Sequence, residues 1–328
     1  MRNGLFLGSC LSLILVITGC SSDHKPSKSF EVASKGAQGA ALSNDGRWAT
    51  IGAIHQGGSL WRTQDGERLY NWNHRVGEQT TIVAADFSAD GAWALTADPH
   101  TLVLWRLKTG RAERFWTAPG EVLSIALSHN GRYALLGMGD HTAVIFDVVR
   151  GGILRTFTHQ NRVRSVDFNQ DASLALTGSE DFTAILWEVA SGRELQRIQH
   201  DDDVQMVALS PDGRRALSAG KYDKALVWDT QSGRVLGEVP LRAELLRRGM
   251  RFTAARFSED GRQLLTGRPD QVVQLWNTET MQLISRWRLP KRDVWKPTSA
   301  AVLDVAFSQQ ANRYYAVASN GFVHRLEH

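Results

Sequence analysis

Carboxylates, histidines, tryptophans and basic clusters are the residues of this 328-residue sequence whose types and spacing could do chemistry. Asp86 and Asp167 recur at equivalent places, with Asp304 nearby in its own segment. Acids gathered around a channel can hold a cation or move protons. Arg256 falls at a matching position and opposes a cation, so solvated channel lining is the plainer reading. No G-x-S-x-G, H-E-x-x-H or G-x-x-x-x-G-K run is present, and no cysteine pair is spaced for zinc. The ten histidines lack ligand spacing. Eleven Trp against five Tyr raise the alternative of stacking on a quinone or a sugar. Trp72, Trp93, Trp116, Trp287 and Trp295 stand outside the recurring set of large residues and are the freer ones to act. The expectation is a protein without catalytic residues, cofactor or metal.

The elements that must position these residues follow from a repeat. A turn signature recurs as SNDG at Ser43, SADG at Ser88, SHNG at Ser128, NQDA at Asn169, SPDG at Ser210, SEDG at Ser258 and SQQA at Ser308. A large apolar residue follows 15 positions after the fourth turn residue, at Trp61, Phe146, Trp187, Trp228, Trp276 and Leu326, with Trp105 at 14. Between these landmarks each unit reads as four short strands. In the fourth unit they are Val163 to Phe168, Leu174 to Thr177, Ala184 to Trp187 and Glu194 to Ile198. A twisted four-stranded sheet cannot bury both faces alone, but seven stacked around an axis can.

The units LTGSEDFTAILWEVASGREL and LSAGKYDKALVWDTQSGRVL closely resemble the WD-repeat family, and the resemblance runs from about Phe30 to His328. It implies an all-β, seven-bladed WD-repeat β-propeller. It also implies structural tetrads in which a loop His, a strand Ser or Thr, a turn Asp and a Trp hydrogen-bond in series. Blade four supplies His159, Thr177, Asp181 and Trp187; blade five supplies His200, Ser218, Asp223 and Trp228. Blade three has Asp140 but Leu136 and Phe146, and blade six has Thr266, Asp270 and Trp276 without a His. Blade seven holds only three strands, so SFEVAS, Ser29 to Ser34, is expected to donate the fourth, the overlapping closure this family uses.

Two insertions break the period. PLRAELLRRGMRF carries Arg242, Arg247, Arg248 and Arg251, and LPKRDVWKPTSA carries Lys291, Arg292, Trp295 and Lys296. Both join an outer strand to the next inner strand, and the family resemblance implies that such connections open on one face, where the two rise side by side; Arg162, Arg164 and Tyr222 extend that platform. Long loops in compact domains are disproportionately functional, and Arg and Trp anchor interfaces. The family resemblance implies protein binding without chemistry, here to a partner acidic at the contact. A lactonase or quinoprotein type of channel enzyme and a binder of an anionic envelope polymer are the alternatives. The net charge of +4 is too small to imply nucleic acid.

The chain opens with Arg2 and the apolar run Leu5 to Ile17, shorter than the roughly 20 residues that span a bilayer. Ile17 to Cys20, ITGC, resembles a bacterial lipobox, which implies a signal peptide over 1–19 and a diacylglycerol on Cys20. Residues 20–28 then read as a lipidated tether and 29–328 as the propeller, closed by its N-terminal strand. Ser21 and Ser22 resemble outer-membrane sorting, at the periplasmic face of the cell envelope, more than retention in the inner membrane. Because the Cys20 thiol is the only lipid acceptor at that point, Cys20→Ser is expected to abolish palmitate labelling and leave an uncleaved precursor. Label retained by the mutant in cells would place the anchor elsewhere.

Overall fold

The computed structural model describes residues 23–222, 224–241, 251–293, 295 and 300–328. These residues form 28 strands and no helix, arranged as seven four-stranded antiparallel sheets. Blade four runs from Val163–Phe168 through Leu174–Ser179 and Thr183–Glu188 to Glu194–Gln199. The other inner strands are Ala37–Leu42, Ala84–Phe87, Val122–Leu127, Val204–Leu209, Ala254–Phe257 and Val302–Phe307. Each lies beside the inner strands of the blades before and after it, and that of blade seven lies beside that of blade one. The chain is therefore the seven-bladed propeller that the repeat implied.

Burial explains which sequence becomes which strand. The two middle strands of a blade are covered by neighbours on both sides, so Leu174–Ser179 is buried from Ala175 onward and Ala184, Ile185 and Leu186 are buried in succession. Outer strands face water on one side and alternate; in Ile153–Thr158 only Phe157 is fully buried. The recurring turn closes each hairpin through side chains. In blade one the Ser43 hydroxyl donates to Asp45 Oδ1 at 2.7 Å and accepts from Trp48 N at 3.0 Å. These turns need one residue at positive φ, supplied by Gly46, Gly91, Gly131, Gly213 and Gly261. Where NQDA and SQQA lack the glycine, Ala172 and Asn312 take that conformation instead.

Aromatic residues lock neighbouring blades together. Trp72, just beyond the outer strand of blade one, stacks on Trp105 of blade two with ring centroids 5.1 Å apart and donates to the Gly110 carbonyl at 3.1 Å. Trp116 donates to Val148 O at 3.0 Å in blade three, Phe157 stacks on Trp187 of blade four, and Trp287 donates to Glu327 O at 3.0 Å in blade seven. Trp93 lies beneath the Arg106 guanidinium. Four of the five tryptophans expected to be free are thus committed to packing, and Trp295 alone of the five is widely exposed.

The ring closes where the N-terminal strand joins the last three. Lys28–Glu31 pairs with Phe322–Glu327, Phe30 opposite Val323, and forms the outer strand of blade seven. Val32 N and Ala33 N both donate to Gly321 O. Gly321 has φ 84°, and a Cβ there would meet Ala33 O at 1.9 Å, so both conformation and contact require glycine. The stretch expected as a free tether is described from Asp23 onward, and it is docked: His24 N donates to Arg286 O at 2.9 Å and Arg288 N donates back to His24 O at 3.0 Å.

Within blade four, His159 joins Asp181 Oδ2 at 2.9 Å and Thr177 Oγ1 at 2.7 Å, and Trp187 Nε1 donates to Thr177 at 2.9 Å. Burial pushes the Asp181 carboxyl up, but hydrogen bonds from His159 and Thr183 outweigh it and hold it well below the ordinary range. Asp140 of blade three is exposed and accepts only from Thr142 N and Oγ1 among the described contacts. Asp181→Ala is expected to cost roughly 1 to 3 kcal/mol by leaving buried donors without an acceptor, and Asp140→Ala less. Because the Asp181 value is depressed, its contribution is complete above the ordinary carboxylate range and fades as pH falls through it. Urea unfolding of both variants at pH 7 and pH 3 checks this; equal losses at pH 7 would contradict it.

Candidate functional site

In each antiparallel blade the connection from outer to next inner strand emerges on the same face as the turn between the two middle strands. The His159–Asp181 contact joins one such connection to one such turn. The described ends of both connections that carry the insertions lie on this face. Of the residues assigned to it, Arg242, Arg247, Arg248 and Lys296 lie outside the described residues, as do Asp223 of the blade-five tetrad and Cys20. Arg251 and Lys291 are exposed, and Trp295 is 94% exposed, its backbone N–H donating to Asp293 Oδ1.

Arg292 departs from the expectation of a free loop cation. Its guanidinium pairs with Glu31 at 2.8 Å, donates to Ala33 O at 2.6 Å and Asn320 O at 2.8 Å, and lies over the Phe322 ring. It clasps the closing strand to blade seven.

Two further aromatics stand on the same face, on the turns between the middle strands of blades four and five. Tyr222 is 55% exposed, with Lys221 over its ring, and Phe182 is 42% exposed. Phe182 was missed by sequence reasoning, although it follows the tetrad Asp181. At the corresponding places blades three and six put His141 and Gln271, all three residues at positive φ. A bulky aromatic gains nothing from that conformation and exposes apolar surface, so neither turn geometry nor folding accounts for the choice. Around these rings the charges are mixed: Arg164 pairs with Glu180 at 2.6 Å, Lys221 with Asp203 and Lys224 with Asp201, while Arg162 is exposed.

The channel acids are not simply solvated lining. Asp86 accepts from Leu127 N at 2.7 Å, Asp167 from Leu209 N at 2.8 Å and Asp304 from Leu42 N at 2.7 Å. Each carboxyl staples its inner strand to that of the next blade. Arg256 reaches Asp304 at 3.2 Å and the Asn44 side chain. Burial pushes Asp86 up to about 6 against the pull of Arg256, and Asp167 up to about 7, aided by Asp86. Among the described residues no group of three or more His, Cys, Asp or Glu is placed to hold a metal ion.

The tetrad geometry is the one that the WD-repeat resemblance implied. Blade four holds all four members, blade five shows His200, Ser218 and Trp228 in series at 2.8 and 3.2 Å, and blade two holds a set that sequence reasoning missed. There His74 joins Thr96 at 2.8 Å and Asp98 at 3.2 Å, and Trp105 donates to Thr96 at 2.8 Å. The family profile described as "WD domain, G-beta repeat" matches residues 151–188. The chain is a seven-bladed β-propeller, and one stretch of it is matched as a WD repeat. The matched stretch contains the outer strand of blade three and the first three strands of blade four, so the sequence repeat is offset from the blade by one strand. That same offset, carried around the ring, puts an outer strand first among the described strands and three strands last. No curated protein matches the sequence significantly.

Arg292→Glu should lower the melting temperature of the propeller by more than about 2 °C, because it places a carboxylate against Glu31 and two carbonyls. Lys291→Glu, one residue away and exposed, should change it by less than about 1 °C. Differential scanning calorimetry distinguishes them, and equal melting temperatures would show that Arg292 clasps nothing.

Proposed function

We propose that this protein is a non-enzymatic scaffold of the bacterial cell envelope, anchored by lipid on Cys20 at the periplasmic face, with the outer membrane favoured over the inner. Its loop face binds a protein partner. The fold is one that generally serves protein interaction. The observation that carries the reading is the trio Phe182, Tyr222 and Trp295, exposed on one face among charges. Aromatics left in water at a folding cost fit anchors for a partner's pockets. Exposed Arg251 and Lys291 suit a partner acidic at that part of the contact.

The channel-enzyme alternative is less well supported, since Asp86, Asp167 and Asp304 already accept backbone N–H groups and are spent on holding blades together. An anionic polymer fits poorly as well, because Glu180, Asp201 and Asp203 interleave with the cations near Tyr222.

The test is a pull-down from envelope extract with wild type, the triple variant Phe182→Ala, Tyr222→Ala, Trp295→Ala, and the charge variant Arg251→Glu, Lys291→Glu. All three should melt alike. The triple variant should lose the partner through faster dissociation, and the charge variant through slower encounter that salt screens in wild type. Undiminished recovery by both variants would move the interface to another face.

A further inference from the structure

The docked N-terminal segment fixes where a lipid on Cys20 would sit, an argument that rests on the anchor proposed above. Asp23 grips Arg286 at 3.0 Å and Arg288 at 2.6 Å, on the outer strand Leu283–Arg288 of blade six. His24 pairs with Trp287 as a short parallel bridge, its ring 6.3 Å from both Trp287 and His328. Ser27 N then donates to Arg325 O at 2.8 Å as the chain passes onto blade seven. The segment is thus stitched across the seam between blades six and seven, on the circumference of the ring and on neither loop face.

Only Ser21 and Ser22 separate Cys20 from Asp23, three Cα-to-Cα steps in all. Fully extended chain covers at most about 3.6 Å per residue, so an acylated Cys20 lies within roughly 11 Å of the seam. A tether that short prevents the ring from lying on either loop face. We infer that the propeller stands on its rim at a phospholipid surface, with the seam between blades six and seven against the headgroups. Lys25 and Lys28 are exposed along this rim, and half-exposed Arg288 is beside them. Basic groups held close to a bilayer are attracted to its anionic headgroups. Both loop faces then open sideways, and the aromatic trio stays clear of the membrane.

Blade three lies across the ring from this seam. Exposed Leu283 on blade six and exposed Leu154 on blade three are therefore suitable reporters of orientation. Each is replaced by cysteine in the full chain, labelled with a maleimide fluorophore and presented in vesicles of phosphatidylethanolamine and phosphatidylglycerol that contain a headgroup quencher. Palmitate label on the sedimented chain, lost on Cys20→Ser, reports the anchor alone; that variant keeps the apolar run Leu5 to Ile17, so its sedimentation is not the readout. Among sedimenting molecules, quenching at Leu283→Cys should exceed that at Leu154→Cys at least threefold. A ten-residue Gly-Ser insertion between Ser22 and Asp23 should bring the two towards equality while leaving sedimentation intact. Equal quenching without the insertion, or a difference that survives it, overturns the orientation and leaves the anchor standing. Chains that never sediment overturn the anchor, and the orientation with it.

Discussion

A propeller is stable only as a closed ring, because every blade buries its two faces against its neighbours and none is a folding unit by itself. In this protein the whole ring depends on the pairing of Lys28–Glu31 with Phe322–Glu327, which joins residues about as far apart as the chain allows. Without it the last blade would present an unpaired edge. The closure is reinforced from several directions. Gly321 receives two backbone donors, Arg292 ties Glu31 and Ala33 to Asn320, and the Ser29 hydroxyl pairs with the buried His324 ring at 2.8 Å. Arg292, assigned to an interface from the sequence, is thus also engaged in closing the fold.

The same economy of contacts repeats from blade to blade in three concentric layers. Near the axis, carboxyls staple inner strands at the junctions after blades two, four and seven. In the middle, a Ser or Thr hydroxyl takes the indole N–H of its own blade and, where a histidine is present, joins it to the loop above. At the circumference, an aromatic of one outer strand covers the large residue of the next blade, as Trp72 covers Trp105 and Phe157 covers Trp187. Only the middle layer lies within a single blade. The other two are relations between blades, which is why each unit is held only in the presence of its neighbours.

That distinction also explains what could be read from the sequence. The blade count and the strands were legible because turn residues and the large apolar position recur along the chain. Trp72, Trp116 and Trp287 were misread as free because their partners lie in the following unit, at a distance along the chain that varies with each connection. The blade-two tetrad was hidden by a turn one residue shorter than the rest, which puts Trp105 at 14 rather than 15 and shifts Asp98 relative to Thr96. Phe182 had a usable signal, a bulky aromatic directly after a tetrad Asp, but its meaning rests on the positive φ that only the fold reveals. The docking of Asp23 and His24 had none: a short polar stretch looks alike whether it is free or pairs with an outer strand.

The titratable groups in these layers pull stability in opposite directions along the pH scale, and the ring's tolerance follows from their opposition. Asp86 and Asp167 are raised by burial to about 6 and about 7, so the folded state holds their protons more tightly than the unfolded chain does. What they contribute is greatest in the protonated form and declines as pH climbs from the ordinary carboxylate range towards those values. A protonated carboxyl still accepts the neighbouring N–H through its carbonyl oxygen, so the staple survives the change. Burial instead pushes His324 down to about 4, and its contribution is lost as pH falls from the ordinary imidazole range towards that value. Between about pH 4 and 6.5 acidification thus relieves the burial penalty on the axial carboxyls while weakening the closure at blade seven. Below that window the depressed Asp181 carboxyl adds its own loss, and acid then acts on the closing strand and the tetrad together.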